Sequence, residues 1–322
     1  MKRTLGVLMD PIEAIYIKKD STFAMLLEAQ RRGYDLLYLT QGSLVLRDAV
    51  AWAHACPLNV REDPKDWFTL GDPEWRELGG VDVILARKDP PFDSQFLYDT
   101  MVLELAQAAG AQVINDPRGL RDANEKLFAL QFPQCCAPVL VARDAAAHKR
   151  FAREHGKIVL KPLDGMGGRS VFLTSGDDPN LTVILETLTE DGRAFAMAQK
   201  FIPEISAGDK RILLIDGEPV PYALARMPQG DDFRGNLARG GRGVGVPLSE
   251  RDRWIAAQVG PELVARGMRF VGLDVIGDWL TEINVTSPTC IRELDSQFGL
   301  NIAGQLFDAI ERHPARRNPR GK

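Results

Sequence analysis

Short, nearly continuous apolar runs alternate with helical periodicity through the first third of the chain. Residues 3–9 and 81–86 are mostly apolar and lack the alternation of a half-exposed strand, which is typical of parallel strands covered on both faces. Residues 113–114 belong to a further run of this kind. Strands that alternate with helices in this way predict an open, doubly wound α/β domain up to about residue 122.

Helix signals lie between these apolar runs. Asp20 or Ser21 can cap a helix that Gly33 ends. A second helix is predicted over residues 94–109, with Gly110 as its C-terminal signal. Its apolar stripe is predicted to contain Leu97, Met101, Leu105 and Ala108.

After residue 123 the pattern changes. Helices are predicted near residues 124–131 and 144–155, followed by a strand at 157–161. Hairpins then dominate, and Asp216-Gly217 is a strong two-residue turn signal. Residues 228–247 contain too much glycine for a helix or strand interior, so a mobile loop is expected there.

The last part of the chain reads as a helix and a hairpin before the terminus. Ser249 can cap a helix, and strands are predicted at residues 270–276 and 280–285. The apolar face of that helix is predicted to contain Ile255, Val259 and Leu263. We expect a first domain over 1–122 and a second over 123–312, divided into a central part, 123–200, and a C-terminal part, 201–312. The basic residues 313–322 are expected to be a flexible tail.

Composition excludes several classes of protein. A net charge of −4 over 322 residues argues against nucleic acid as the main partner, and no run of about 18 apolar residues could span a membrane. The initial apolar run is too short for a signal-peptide core. Four cysteines without a CxxC pair favour free thiols and a cytoplasmic location, and the four histidines have no zinc-site or hydrolase spacing.

A glycine-rich segment carries the first chemical signal. A strand ends at Lys161 and runs into Gly165-Met166-Gly167-Gly168, where backbone N–H groups could approach phosphate oxygens. The segment lacks the GxxxxGK[ST] pattern and precedes a strand, so neither a P-loop nor a Rossmann fingerprint applies. Taken alone, a structural β-turn explains it equally well.

The second signal lies in the predicted C-terminal hairpin. Glu282 and Asn284 are two residues apart on one strand and project from the same face, with oxygen ligands that suit Mg²⁺. Asp274 can join them only if a bulge or a three-residue loop shifts the register, because a two-residue Gly277-Asp278 loop would pair Asp274 with Thr281. The alternative is that these polar residues form the solvent face of the hairpin.

Cations flank both signals. Lys126, Lys161, Arg211 and Arg226 could together hold a triphosphate with Mg²⁺, although each one alone reads as a surface charge. Residues 239–243, Arg-Gly-Gly-Arg-Gly, could belong to an RNA-binding element, but a substrate-covering lid is the better interpretation.

Longer motifs resemble one family. The chain resembles the prokaryotic glutathione synthetases, which have the ATP-grasp fold, from about residue 3 to 310. The motifs that carry the resemblance are Met9-Asp10-Pro11, Lys18-Lys-Asp-Ser21, Arg87-Lys-Asp-Pro-Pro-Phe92, Arg121-Asp-Ala-Asn-Glu-Lys126, Lys161-Pro-Leu-Asp-Gly-Met-Gly-Gly168 and Thr281-Glu-Ile-Asn-Val-Thr-Ser-Pro-Thr-Cys-Ile-Arg292.

The resemblance implies roles for individual residues. The nucleotide-binding positions it implies are Lys126, Lys161, Gly165, Met166, Gly167, Gly168, Gln199, Lys200, Phe201, Ile202, Asp209 and Arg211. The implied metal ligands are Asp274, Glu282 and Asn284. Arg211, Arg226 and Asn236 are implied as catalytic residues, and Arg87, Ser287 and Arg292 as substrate contacts.

The resemblance also implies the reaction. The family joins γ-glutamylcysteine to glycine through an acyl phosphate, with ATP, two Mg²⁺ ions that Mn²⁺ could replace, and a homotetrameric assembly. The fold expectation is therefore an ATP-grasp fold preceded by an open doubly wound α/β domain, with no nucleic acid or membrane partner. The alternatives are a RimK-like or D-Ala-D-Ala-like ligase with another substrate, or a nucleotide-binding module without catalysis.

Overall fold

The part of the chain that the structure describes contains three sheets. The computed structural model describes residues 2–165, 167–228 and 242–313, and all that follows refers to them. The first sheet has eight strands in the order β3-β4-β2-β1-β7-β8, with β5 and β6 pairing on β4. Its strands are β1 (Thr4–Met9), β2 (Asp35–Leu39), β3 (Leu44–Arg47), β4 (Val50–Val60), β5 (Phe68–Leu70), β6 (Glu74–Glu77), β7 (Val83–Arg87) and β8 (Gln112–Ile114).

The centre of this sheet confirms the parallel strands predicted from the apolar runs. β1 pairs in parallel with β2 and β7, and β7 pairs in parallel with β8. The antiparallel strands between residues 44 and 77 were not predicted, because their alternating polar residues give a weaker signal than the buried runs. They extend the parallel sheet at one side.

Two helices cover opposite faces of the sheet. α1 (Ser21–Arg31) is capped by Asp20, and α2 (Ser94–Ala109) ends at Gly110, as predicted. The predicted stripe of α2 is wrong for Met101 and Ala108, which are exposed, whereas Leu97 and Leu105 are partly buried. The helix buries Phe96, Thr100, Leu103 and Ala106 instead. Because α2 carries apolar residues on much of its circumference, periodicity alone could not fix which side faces the sheet.

The second sheet follows a short helix, α3 (Pro117–Asp122). It is antiparallel, in the order β11-β10-β12-β9. Its strands and helices are β9 (Val139–Ala142), α4 (Ala145–His155), β10 (Ile158–Pro162), β11 (Phe172–Thr174), α5 (Leu181–Thr189) and β12 (Ala196–Lys200).

The predicted helix at residues 124–131 is wrong. The chain forms 3-10 turns at Phe128–Gln131 and Pro133–Cys135. The Asn124 side chain accepts hydrogen bonds from the N–H groups of Lys126 and Leu127, as a helix cap would, but the chain continues in 3-10 turns and not in a regular helix.

The third sheet has the order β15-β14-β13-β16-β17, and every neighbouring pair is antiparallel. The Asp216-Gly217 turn is confirmed, with φ of 48° and 81°. The elements of this part are β13 (Asp209–Ile215), β14 (Glu218–Met227), β15 (Arg242–Pro247), α6 (Glu250–Ala265), β16 (Phe270–Ile276), β17 (Trp279–Asn284), α7 (Ile291–Phe298) and α8 (Ile302–Arg312). The Ser249 cap and the buried face of α6 are also confirmed.

The prediction of a loop throughout residues 228–247 is wrong for its last part, because residues 242–247 form β15. Glycine is needed there for packing: a Cβ at Gly245 would collide with the ring of Phe298 on α7. The remainder of the predicted lid, 229–241, and the predicted tail beyond residue 313 lie outside the described residues. Within those described, no helix is long and apolar enough to cross a membrane.

Candidate active site

A cleft of about 480 Å³ lies where the three sheets meet. Lys19 and Asp89 come from the first part of the chain, Lys161 and Gln199 from the second sheet, and Asp274 from the third. Side chains that are far apart in sequence therefore face one space.

The register of the β16–β17 hairpin places the proposed metal ligands together. Asp274 pairs with Glu282, and Asn284 pairs with Gly272, with an irregularity directly after Asp274. The turn is the two-residue Gly277-Asp278 loop, and Thr281 is the extra residue. The bulge predicted from the sequence is therefore confirmed, and Asp274, Glu282 and Asn284 all line the cleft.

Two arginines and two carboxylates form a buried network at one side of the cleft, which we call the cleft network. Arg211 donates to both oxygens of Asp274, at 2.5 and 3.0 Å. Arg226 contacts Asp274 at 2.9 Å and donates to Asp209 at 2.5 Å. Arg211 and Asp209 lie on β13 and Arg226 on β14, where Asp209 is directly opposite Arg226.

The two carboxyl groups of this network have opposite pKa shifts. Burial raises the pKa of Asp209 to about 6. The positive charge of Arg226 opposes this shift, and the negative charge of Asp274 adds to it. Burial also disfavours ionised Asp274, but Arg211 and Arg226 outweigh it and hold the pKa of Asp274 well below its usual range. Oδ1 of Asp209 is buried and has no hydrogen-bond partner in the described structure.

Two lysines approach Glu282 on the other side. Lys161 Nζ lies 3.2 Å and Lys126 Nζ 3.7 Å from Glu282 Oε1. Burial opposes ionisation of Glu282, but the two ammonium groups outweigh it and lower its pKa. Lys126 also donates to the Gly165 carbonyl at 2.8 Å, which ties it to the glycine-rich loop.

The glycine-rich loop borders the cleft through Gly165, Gly167 and Gly168. Gly167 and Gly168 have φ of 65° and 71°, which favours glycine, and a Cβ at Gly165 would lie 2.8 Å from Pro162 Cγ. These features require glycine at the three positions. Met166 lies outside the described residues.

The end of β12 forms a further wall. Gln199 is buried and Lys200 is exposed, and the chain continues through Phe201 and Ile202 along the same side of the cleft. An apolar and polar wall next to two lysines and a glycine loop is a suitable surface for a base attached to phosphates.

The ligand set fits Mg²⁺. Asp274 and Glu282 offer carboxylate oxygens and Asn284 an amide, and Mg²⁺ commonly takes one or two carboxylates together with substrate phosphates. Nδ2 of Asn284 is buried without a partner among the described groups. No cluster of three His, Cys, Asp or Glu side chains suited to a metal occurs in the described part of the chain. An ion at this site would therefore take further oxygen ligands from a phosphate.

The three residues predicted to contact substrate lie in different places. Ser287 lines the cleft, whereas Arg87 and Arg292 are absent from its described lining. Arg87 is buried and donates to Thr22 Oγ1 at 3.0 Å and to the Pro288 carbonyl at 2.9 Å, and burial lowers its pKa to about 10. Arg292 forms an ion pair with Glu62, which lies shortly after the end of β4. The predicted catalytic residue Asn236 lies outside the described residues.

Sequence reasoning missed three acidic residues of the cleft wall, Asp89, Glu125 and Glu293. Burial and the charge of Glu282 raise the pKa of Glu125 to about 7, and its Oε1 accepts from Thr286 at 3.1 Å. Its position directly before Lys126 was the one available signal. Nothing local in the sequence distinguishes Glu293 from other glutamates in the first turn of a helix.

Comparisons with known proteins agree over nearly the whole chain. Residues 4–121 match the family model of the prokaryotic glutathione synthetase N-terminal domain, and residues 125–299 match that of the ATP-grasp domain. A glutathione synthetase from Xanthomonas axonopodis pv. citri is 68% identical over 311 residues, which are 97% of this chain and 98% of that protein. One from Pseudomonas aeruginosa is 58% identical over 310 residues, with 96% and 98% covered.

Solved structures share the fold at low identity. The D-cycloserine synthetase DcsG has a TM-score of 0.64 at 17% identity, over 96% of this chain and 99% of that one. A RimK domain ATP-grasp protein from Sphaerobacter thermophilus has a TM-score of 0.61 at 16% identity, over 95% and 98%. The ATP-grasp fold and the α/β class predicted from the sequence are confirmed.

Proposed function

The chain belongs to the prokaryotic glutathione synthetase family, and we propose that it joins γ-glutamylcysteine to glycine while converting ATP to ADP and phosphate. One observation supports this proposal most strongly: Lys126, Lys161, Asp274, Glu282 and Asn284 converge on a single cleft. Cations that could hold phosphates thus lie beside oxygen ligands that could hold Mg²⁺, as ATP-dependent activation of a carboxylate requires.

The proposed reaction has two steps. The cysteinyl carboxylate attacks the γ-phosphorus of ATP, the bond to the bridging oxygen breaks, and ADP leaves. The glycine amine, having lost a proton, then attacks the carbonyl carbon of the acyl phosphate, and phosphate leaves with the former carboxylate oxygen. The ATP-derived phosphate is the leaving group, so no nucleophile from a side chain is required.

The nucleotide is proposed to lie between the glycine-rich loop and the end of β12. Lys126, Lys161 and residues 165–168 would hold its phosphates, and Asp209 and Arg211 would contact the ribose and phosphates. Residues 199–202 would flank the base. The link between Lys126 and the Gly165 carbonyl supports this assignment, because it fixes a cation next to the loop.

Two Mg²⁺ ions are proposed to bind at Asp274, Glu282 and Asn284, and Mn²⁺ could replace them. The bound metal would neutralise phosphate charge and orient the γ-phosphate. Lys161 forms an ion pair with Glu282, and Arg211 and Arg226 form ion pairs with Asp274. These cations keep both carboxylates ionised, and therefore competent as ligands.

We assign Arg211, Arg226 and Asn236 to stabilisation of the negative charge that develops on the transferred phosphoryl group. Arg226 is buried and held by Asp209 and Asp274, which restricts its orientation. Ser287, Arg87 and Arg292 are proposed as contacts to γ-glutamylcysteine. For Arg87 and Arg292 this requires release from their present partners or an indirect effect through the loop that carries Pro288.

The organisation of the chain is part of the proposal. We propose domains at 1–122 and 123–312, with a division near residue 200, because each part contains its own sheet. Residues 313–322 would form a basic flexible tail. A homotetramer in the cytoplasm is proposed from the family and from the four free cysteines, with no nucleic acid or membrane partner.

A coupled assay tests the proposed reaction. ADP release should require γ-glutamylcysteine, glycine and Mg²⁺ together, and mass spectrometry should identify glutathione. The same assay with D-alanine alone, or with glutamate and a peptide acceptor, covers the D-Ala-D-Ala-like and RimK-like alternatives. Turnover with either of these alternative substrate sets, without turnover of γ-glutamylcysteine and glycine, would contradict the proposal. Nucleotide binding without any turnover would also contradict it.

A further inference from the structure

Glu293 is a carboxylate of the cleft wall to which the proposed reaction assigns no role. Glu293 lies in the first turn of α7 and lines the cleft. Its Oε2 is buried and has no hydrogen-bond partner in the described structure. A carboxylate oxygen that is buried without a donor is costly, so its retention at a cleft wall points to a ligand that donates hydrogen bonds, such as an ammonium group.

The charges around Glu293 strengthen this interpretation. Burial raises the pKa of Glu293, and the cations that oppose the shift are Lys19 and Arg292. Arg292 is already paired with Glu62, whereas Lys19 is exposed and lines the same cleft. A negative and a positive group therefore lie on one wall, an arrangement suited to a zwitterion.

Only one of the three substrates offers such a zwitterion throughout the reaction. ATP carries negative charge alone, and glycine must lose its ammonium proton before its nitrogen can attack. The γ-glutamyl residue keeps both an ammonium and an α-carboxylate, because the peptide bond uses its side chain. A permanent salt bridge to the enzyme is therefore compatible with catalysis for this group and not for the glycine amine.

The position of Glu293 agrees with recognition of the end of the dipeptide that does not react. The charges that act on Glu282, where phosphoryl transfer is proposed, include Lys126, Lys161 and Asp274. The cations that act on Glu293 are Lys19 and Arg292, so the two carboxylates interact with different cations, and they lie on different elements, β17 and α7. We propose that Glu293 binds the ammonium group, and Lys19 the α-carboxylate, of the γ-glutamyl residue. This rests on the proposed function and adds the residues that would select a γ-glutamyl substrate.

Substrate analogues combined with matched variants test the pairing. Glutarylcysteine lacks only the ammonium group, and 4-aminobutyrylcysteine lacks only the α-carboxylate. Glu293→Gln should lower kcat/KM for γ-glutamylcysteine by about 10- to 100-fold, the usual effect of a lost hydrogen bond between charged groups. It should change kcat/KM for glutarylcysteine less than threefold, because that analogue cannot make the contact. KM for ATP should stay constant.

Lys19→Met forms the reciprocal arm. It should lower kcat/KM for γ-glutamylcysteine and leave that for 4-aminobutyrylcysteine nearly unchanged. Lys18→Met and Glu186→Gln serve as controls, because both residues are exposed and absent from the described lining of the cleft. Both control variants should retain wild-type kinetics with all three dipeptides.

Three results would overturn the assignment: an equal loss in Glu293→Gln for γ-glutamylcysteine and glutarylcysteine, no loss for either, or a higher KM for glycine in place of the dipeptide. Glu293→Asp, with a measured melting temperature, provides a second variant that retains the charge and should keep part of the discrimination between the two dipeptides. Failure of the proposed function is separate, because the wild-type protein would then not turn over γ-glutamylcysteine at all.

Discussion

Two arginine–carboxylate networks in this protein have similar composition and different surroundings. The first, which we call the α1–α8 network, contains Glu28, Arg32, Asp308 and Glu311. Arg32 donates to the three carboxylates at 2.7 to 2.8 Å and to the Gly304 carbonyl at 2.9 Å. Its guanidinium thus makes four hydrogen bonds, and it joins α1 to α8.

The cleft network of Asp209, Arg211, Arg226 and Asp274 is not saturated. Oδ1 of Asp209 has no partner among the described groups, and burial raises the pKa of Asp209 to about 6 while Asp274 stays ionised. All four residues line the cleft. The same residue types therefore join two helices in the α1–α8 network, and remain available to ligands in the cleft network, where a buried oxygen is left without a partner.

The largest difference between the two networks should appear on removal of a metal ligand beside the cleft network. Glu282→Ala should lower kcat by about 10³-fold, because the variant loses an oxygen for Mg²⁺ and leaves Lys126 and Lys161 without their anion. Steady-state assays over a range of Mg²⁺ concentrations measure the effect. Asp308→Ala, in the α1–α8 network, is the control and should keep kcat within about twofold. Full activity in Glu282→Ala would remove this residue from the site.

A smaller effect on activity is expected within the cleft network itself. Arg226→Ala should lower kcat by about 10²-fold and change the Kd for ATP by much less, because the arginine is assigned to charge that develops during transfer. Nucleotide titration and steady-state kinetics on the same preparation separate the two quantities. Unchanged turnover would show that Arg226 serves only to pair with Asp209 and Asp274.

The α1–α8 network should respond in stability and not in activity. Glu28→Gln removes a buried carboxylate that accepts from Arg31 and Arg32, so the free energy of unfolding should fall by about 1–3 kcal/mol. Urea denaturation measures this change, and kcat should remain at the wild-type value. Loss of activity at unchanged stability would contradict the purely structural role of this network.

The smallest expected effect is a pH dependence of that stability difference. Hydrogen bonds from Arg31, opposed by burial and reinforced by Arg32, lower the pKa of Glu28 from 4.5 to about 2. A lowered carboxyl pKa stabilises the folded state above the unfolded-state pKa, and this contribution disappears as the pH falls towards 2. The difference between wild type and Glu28→Gln should be constant from pH 7 to 5 and shrink by about 1 kcal/mol per pH unit below 4.5. A constant difference down to pH 3 would exclude this linkage.

Much of the fold could be predicted because the signals are local. The parallel strands follow from apolar runs, the Asp216-Gly217 turn from backbone preferences, and the bulge between Asp274 and Glu282 from the two-residue period of a strand. The errors arose where a neighbour distant in sequence decides. The buried side of α2 depends on the sheet beneath it. β15 forms despite its glycines because it pairs with β14 and packs closely against Phe298.

The sequence by itself determined the family, the parallel strands of the first sheet with their helices, and the identity of the metal-ligand and phosphate-binding candidates. Only the tertiary structure decided which charges are compensated. Arg87 donates to the Pro288 carbonyl and Arg292 pairs with Glu62, and neither arginine belongs to the described cleft lining. Glu125 and Glu293 lie at the cleft wall, where burial raises their pKa values. The physical reason is that the free energy of a buried charge depends on desolvation and on partners from distant parts of the chain, which no local pattern records.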